Sequence, residues 1–155
     1  MSRRRDTRRL AMQVLYQIDA TGEADAEVIF AGLDETHDPP EVRRDAVDLA
    51  VEAWASREVY DTRIAALAPD WPTHRQPPVD RAVLRLAAHE IATGRTPAKI
   101  AINEAVELAK AYSNENAPAF INGVLDKLRR QLEPAEPPDK PPATPEAWLD
   151  DAKGV

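Results

Sequence analysis

The chain contains no cysteine, which removes disulfides, thiolate nucleophiles and cysteine zinc sites from consideration. Its three histidines, His37, His74 and His89, are too scattered to form a local ligand pair, so neither a metal nor a cofactor is expected. Glycine is scarce, at five residues, and nowhere forms a loop that would cradle phosphates. A nucleophile elbow and a histidine–carboxylate motif are also missing, so an enzyme is not expected. No apolar run approaches the roughly 20 residues that cross a bilayer, and the arginine-rich start is not followed by an apolar signal core. These absences exclude membrane insertion and secretion and point to the cytoplasm.

What is present suits one compact domain: 155 residues, 43% hydrophobic and 30% charged, a globular balance. The 14 prolines act as punctuation and tail. Residues 1–132 read as a helical domain. Residues 133–155 combine prolines with acidic and small residues and read as a flexible tail, because they cannot bury enough apolar surface to offset their ordering entropy. Within that tail, Glu146-Ala147-Trp148-Leu149 carries a tryptophan that suits docking on a groove of its own domain or of a partner, with an idle hydrophobe as the competing reading.

The net charge of −7 argues at first against a nucleic-acid partner. Its distribution argues otherwise. Arg3, Arg4, Arg5, Arg8 and Arg9 crowd the first turns, while Glu133, Glu136, Asp139, Glu146, Asp150 and Asp151 load the far end. Cations at a helix N-terminus oppose its dipole. Five arginines side by side are therefore best explained by an anion, and phosphate contact works locally, within a Debye length, whatever the total charge.

Periodicity predicts helices throughout and no strand. Leu10, Val14 and Ile18 step by four across a first helix from about Asp6 to Asp19, with Gly22 past its end. A short second helix spans about Ala24 to Leu33. Pro40 suits the first position of a third, whose stripe is Val42, Ala46, Leu49, Ala50, Ala53 and Trp54. Val59, Tyr60, Ile64 and Leu67 suggest a fourth that stops before Pro69, and the proline-rich stretch to Pro78 reads as a loop. The fifth presents Val79, Val83, Leu86, Ala87 and Ile91 on one face, with Gly94 just beyond. Ile102, Ala105, Val106 and Ala109 mark a sixth over Ala98 to Tyr112. A seventh follows a cap expected at Asn116 or Ala117 and buries Ile121, Val124, Leu125 and Leu128. Gly123 inside it costs about 1 kcal/mol relative to alanine, which suggests close approach by another helix. Asn103, Glu104 and Asn122 have the look of a catalytic set, but on helices such groups more often serve structural hydrogen bonds.

Two stretches carry a specific resemblance. They are Val79-Asp-Arg-Ala-Val-Leu-Arg-Leu-Ala-Ala-His-Glu-Ile91, and Ala101-Ile-Asn-Glu-Ala-Val-Glu-Leu-Ala-Lys-Ala-Tyr112 followed by Phe120-Ile-Asn-Gly-Val-Leu-Asp-Lys127. With the arginine-rich first helix, Leu15-Tyr16 and the Trp71 loop in the same order, the chain resembles the NusB family over roughly Ser2 to Arg130. The resemblance implies an all-α bundle of about seven helices in two sub-bundles. It also implies a transcription antitermination factor that binds boxA-type single-stranded RNA together with the ribosomal protein NusE, within an antitermination complex on RNA polymerase, and so supports ribosomal RNA synthesis.

The same resemblance places RNA on the first helix, on the lysine of the sixth and near the start of the last: here Arg3, Arg4, Arg5, Arg8, Arg9, Tyr16, Lys110 and Phe120. Aromatic faces at Tyr16 and Phe120 suit unstacked bases, with core packing the competing role for both. The partner protein is expected on the fifth helix, at Asp80 and Arg85, as opposite charges on an exposed surface. His89 stands where the family usually has tyrosine, and Ala119 where a basic residue is common. Two other classes fit less well. One is a protein-interaction module with incidental arginines; the other is an RNA-binding domain like that at the front of ribosomal RNA cytosine methyltransferases, which would be followed by a cofactor-binding domain.

Overall fold

The computed structural model describes residues 3–35 and 37–132; the acidic tail, with Trp148, lies outside the described residues. Seven α-helices follow one another: α1 (Arg3–Thr21), α2 (Ala26–Gly32), α3 (Pro40–Ala55), α4 (Arg57–Leu67), α5 (Pro78–Thr93), α6 (Ala98–Tyr112) and α7 (Ala117–Leu132). Among the described residues there is no strand. The stretch expected as plain loop before α5 contains a 3-10 turn, Thr73–Arg75.

The helix ends follow local chemistry. Gly22 and Gly94 adopt φ of 81° and 71°, the left-handed conformation that closes a helix most cheaply at glycine. Their N–H groups donate to the carbonyls of Ile18 at 2.7 Å and Ile91 at 3.2 Å. Asp25 caps α2 by accepting from the N–H groups of Glu27 and Val28, and Pro40 and Pro78 occupy first-turn positions of α3 and α5. Helix α7 begins at Ala117 and the Asn116 carbonyl accepts from the N–H of Phe120 at 3.4 Å, so Asn116 holds the cap position expected there, while the side chain that serves the free donors is that of Asn114. Asn114 Oδ1 accepts from the N–H groups of Asn116, at 3.0 Å, and Ala117, at 3.1 Å. An Asx side chain reaching two and three residues ahead satisfies donors that would otherwise be orphaned.

Helices α1, α2 and α3 pack as one group and α4, α6 and α7 as another, with α5 touching both. Because it is surrounded, α5 buries far more than the single stripe read from sequence. Asp80, Arg85, His89 and Glu90 are all buried, whereas Val79 and Ile91 are only half-buried. A buried charge is tolerated only with a partner, and each neighbour supplies one. Arg8 of α1 meets Glu90. Asp61 of α4 receives two hydrogen bonds from Arg85, at 2.9 and 2.7 Å. Asp19 of α1 accepts from Arg81 at 2.8 Å and lies 3.5 Å from Arg85. Ser113, between α6 and α7, donates to Asp80.

His89 packs edge-on to Tyr60. Its Nδ1 lies 2.6 Å from the tyrosine hydroxyl and its Nε2 lies 3.5 Å from Glu52. Burial lowers its pKa below the ordinary histidine value, outweighing the hydrogen bond and charge of Glu52, which act the other way. A neutral ring with Nε2–H toward Glu52 leaves Nδ1 to accept from the phenol. Because the folded pKa is depressed, the unfolded chain binds the proton more readily. Stability is therefore full above the ordinary histidine pKa and falls as pH drops below it, by up to about 1.4 kcal/mol per pH unit until the folded pKa is reached. Urea titrations between pH 7.5 and 5 should show this loss, and His89→Phe should flatten the slope in that window.

Candidate nucleic-acid interface

The N-terminal arginines divide into two kinds. Arg8 is 7% exposed. Its Nε and Nη2 donate to the two carboxylate oxygens of Glu90 at 2.9 and 2.8 Å, and Thr96 donates to the same carboxylate. Burial works against its charge, but the hydrogen bonds and charge of Glu90, with that of Glu104, outweigh it and hold the guanidinium above its ordinary pKa. The expectation that Arg8 grips an external phosphate is therefore corrected: its fork is occupied from within, and it ties α1 to α5.

The remaining arginines lie nearer the solvent. Arg3 pairs with Glu41 at 3.0 Å and Arg5 with Glu104 at 3.2 Å, while half-buried Arg9 pairs with Asp38 at 2.8 Å. Of these, only the Arg3–Glu41 pair is exposed on both sides, and such pairs contribute little and are readily exchanged for a stronger anion. Arg4 makes no ion pair among the described residues. Arg3, Arg4 and Arg5 line a cavity of about 450 Å³, whose buried base includes Arg8 and Glu90. Its far wall is the turn between α5 and α6, which contributes Arg95, Thr96 and Pro97, and exposed Ile100 completes the rim. Sequence reasoning missed Arg95. A single arginine after a helix-ending glycine carries no periodic signal, and only the fold brings it into the same cavity as Arg4.

The aromatic candidates lie elsewhere. Because Arg8 meets Glu90 while Asp19 meets Arg81, α1 runs antiparallel to α5. Tyr16 is therefore displaced toward the start of α5, and at 44% exposed it is a surface residue. Lys110, in the last turn of α6, is exposed and pairs with Glu107 at 3.2 Å. Phe120 is half-buried, stacked edge-on against Trp71 with ring centroids 3.8 Å apart. The cavity borders α6 at Ile100 and Glu104, so Lys110 lies about 15 and 9 Å further along the helix.

Three further expectations are corrected. Asp80 and Arg85, placed on an exposed partner-facing surface, are 1% and 7% exposed. Arg85 is satisfied by Asp61 and Asp19. Burial raises the Asp80 pKa, partly offset by the hydrogen bond from Ser113. Gly123 does not admit another helix: a Cβ built there meets nothing within 4 Å. Asn103 and Asn122 are exposed; only Glu104 of that set enters the site, through Arg5 and Arg8.

Fold and site together define a small all-helical protein with a cavity lined by arginines and carboxylates and a surface tyrosine on its first helix. Comparison with known proteins makes the assignment particular. The NusB family model matches residues 5–130. The "Transcription antitermination protein NusB" of Roseiflexus sp. (strain RS-1) is 42% identical over 127 residues, covering 80% of this chain and 89% of that protein. The structure of T. maritima NusB superposes with a TM-score of 0.73 at 28% identity, covering 97% of this chain and 98% of that one. A structure of the antitermination factors NusB and NusE in complex with double-stranded RNA gives a TM-score of 0.69 at 26% identity, covering 84% and 98%. This chain belongs to the NusB family. The family is one of antitermination factors, not of enzymes.

The two kinds of arginine should separate in stability measurements. Arg8→Ala leaves Glu90 buried without its counter-ion and should cost about 3–5 kcal/mol in urea unfolding. Arg4→Ala, at an exposed position, should change stability by less than about 0.5 kcal/mol.

Proposed function

We propose that this chain is a transcription antitermination factor that binds boxA-type single-stranded RNA jointly with NusE, as part of an antitermination complex on RNA polymerase. The observation that carries the reading is the arginine cavity. Arg3, Arg4, Arg5 and Arg95 converge from two segments far apart in sequence, and Arg4 and Arg95 have no ion-pair partner among the described residues. Such convergence suits a phosphate backbone, and arginine also stacks on bases. Family membership supports the same reading, as does a structural neighbour that holds NusE and RNA. Among the described residues no helix is long and apolar enough to cross a membrane.

That neighbour's RNA is double-stranded, yet the surface here favours a single strand. A-form duplex is recognised mainly through its backbone and 2′-hydroxyls, whereas unstacked bases seek aromatic faces. Tyr16 and Phe120 offer such faces, and Lys110 offers a cation at the end of α6, away from the cavity. Arg9 contributes at the edge of the cluster once its contact with Asp38 is exchanged. Arg8 acts by holding α1 in place. Asp80 and Arg85 are buried, so a protein partner must contact other residues directly.

Fluorescence anisotropy with a labelled boxA-like RNA and a scrambled control, each with and without NusE, tests the proposal. Binding of boxA-like RNA should be micromolar or tighter, should strengthen with NusE, and should weaken steeply with salt. Replacing both Arg4 and Arg95 with alanine should weaken binding at least tenfold and reduce the logarithmic salt slope by about 1.4, from about 0.7 per lost single-strand contact. Equal binding of both RNAs in every condition would exclude the specific function.

A further inference from the structure

Five arginines and three carboxylates line the arginine cavity. Internal pairs account for most of that charge: Arg8 with Glu90, Arg5 with Glu104, and Arg3 with Glu41 of α3. Arg4 and Arg95 are exposed and have no ion-pair partner among the described residues, so the cavity keeps cationic charge that only exposed Asp45 tempers. Ile100 stands on the same rim at 51% exposed, one of four large hydrophobes left to solvent among the described residues. A ligand that fits both features joins anionic groups to an apolar side chain.

The chain carries such a segment itself. Residues 133–155 lie outside the described structure, and their sequence falls into two parts. Their six prolines are confined to the stretch from Pro134 to Pro145, and Glu146-Ala-Trp-Leu-Asp-Asp151 follows with none. A proline-rich stretch is a semi-rigid spacer of about 3.1 Å per residue, which loses less entropy than a free chain when its end is held. The hexapeptide beyond it sets Trp148 and Leu149 between Glu146 and the pair Asp150-Asp151.

The fold starts this tail at the right end of the bundle. Helices α6 and α7 are joined by residues 113–116 and pack against each other, so they run antiparallel and the end of α7 returns to the start of α6. Charge places them likewise. The Asp126 carboxylate, held below its ordinary pKa chiefly by the hydrogen bond from Arg129, also feels Lys99 in the first turn of α6. Pro97 and Ile100, from that same stretch, line the cavity. Leu132 ends α7, and the spacer from there to Glu146 extends to about 43 Å. The crossing to the cavity is one or two helix diameters, about 10–20 Å.

We propose that Glu146–Asp151 docks in the arginine cavity of its own chain, its carboxylates on Arg4 and Arg95 and its Trp148-Leu149 pair against Ile100, and so competes with RNA for the site. This rests on the RNA-binding function proposed above and adds its regulation. Tethering gives the tail an effective concentration in the millimolar range, so contacts too weak to hold a free peptide suffice. RNA displaces the tail because its phosphates engage the same arginines over a longer track and release counterions as they do so.

The chain has no cysteine, so Ala152→Cys takes a single nitroxide label in the full chain. At low salt the label should broaden the amide resonances of Arg4, Arg95 and Ile100 and leave those of Trp71 and Val28 sharp; boxA-like RNA or high salt should restore them. Glu146→Gln, Asp150→Asn and Asp151→Asn together should abolish the broadening and tighten boxA-like RNA binding at least threefold at low salt, with no difference at high salt. Trp148→Ala, which changes no charge, should also reduce the broadening. Tighter RNA binding by the triple variant without broadening in the parent would mean that the tail repels RNA from a distance, and overturns the docked contact. Broadening at the cavity with RNA affinity unchanged by the triple variant overturns the competition. Broadening centred on Trp71 or Val28, or arising only between separate copies, overturns the assigned site. If the contact is present but neither the parent nor the triple variant binds RNA, the function proposed above fails and the docked tail stands.

Discussion

The structure depends on a central helix that is buried on nearly every side and yet is rich in ionisable groups. Asp80, Arg85, His89 and Glu90 all lie within α5 and are all withdrawn from water. An unpartnered charge in that position costs several kcal/mol, so each surrounding element must present a specific group at a specific height. Asp19 and Arg8 fix α1, Asp61 and Tyr60 fix α4, and Ser113 fixes the turn into α7. A purely apolar α5 could slide against its neighbours with little penalty. This one has a single register in which every group is satisfied, which is a use of buried polar residues that specifies arrangement more than it adds stability.

The functional surface inherits that register. The Arg8–Glu90 pair holds the start of α1 beside the turn between α5 and α6, and that apposition makes a cavity from arginines about ninety residues apart. At the other end of α5, buried Asp80 holds the turn after α6 through Ser113, close to Trp71 and Phe120. The internal charges of one helix thus set the spacing of two surface features along it. The overall acidity of the chain does not prevent anion binding, because the field that matters is the one within a Debye length of the cavity.

Much of the fold was legible because helix boundaries are local chemistry. Pro40 and Pro78 at first turns, Gly22 and Gly94 past the ends, and three-and-four apolar spacing within α3, α6 and α7 each act over a few residues. The α7 cap position at Asn116 was legible in the same way, but not that the Asn114 side chain serves its donors, because an Asx side chain reaches forward along the chain. For α5, one apolar face was visible, but its other faces read as solvent-facing. A stripe of Asp, Arg, His and Glu looks the same whether it meets water or neighbouring helices that supply partners. That ambiguity is why Asp80 and Arg85 were first placed at the surface.

The sequence by itself determined that the chain is all-helical, where its helices start and stop, that arginines concentrate at its beginning, and which family its second half resembles. Only the tertiary structure decided which of those arginines are available. Arg8 and Arg4 are indistinguishable in a run of like residues. Glu90, eighty-two positions away, occupies one of them, and Arg95 joins the other across the cavity. Gly123 is a parallel case: its cost to the helix is written in sequence, but only the fold shows that no neighbour approaches it. Local propensity acts through neighbouring bonds, whereas availability and vacancy are properties of surfaces that meet through space.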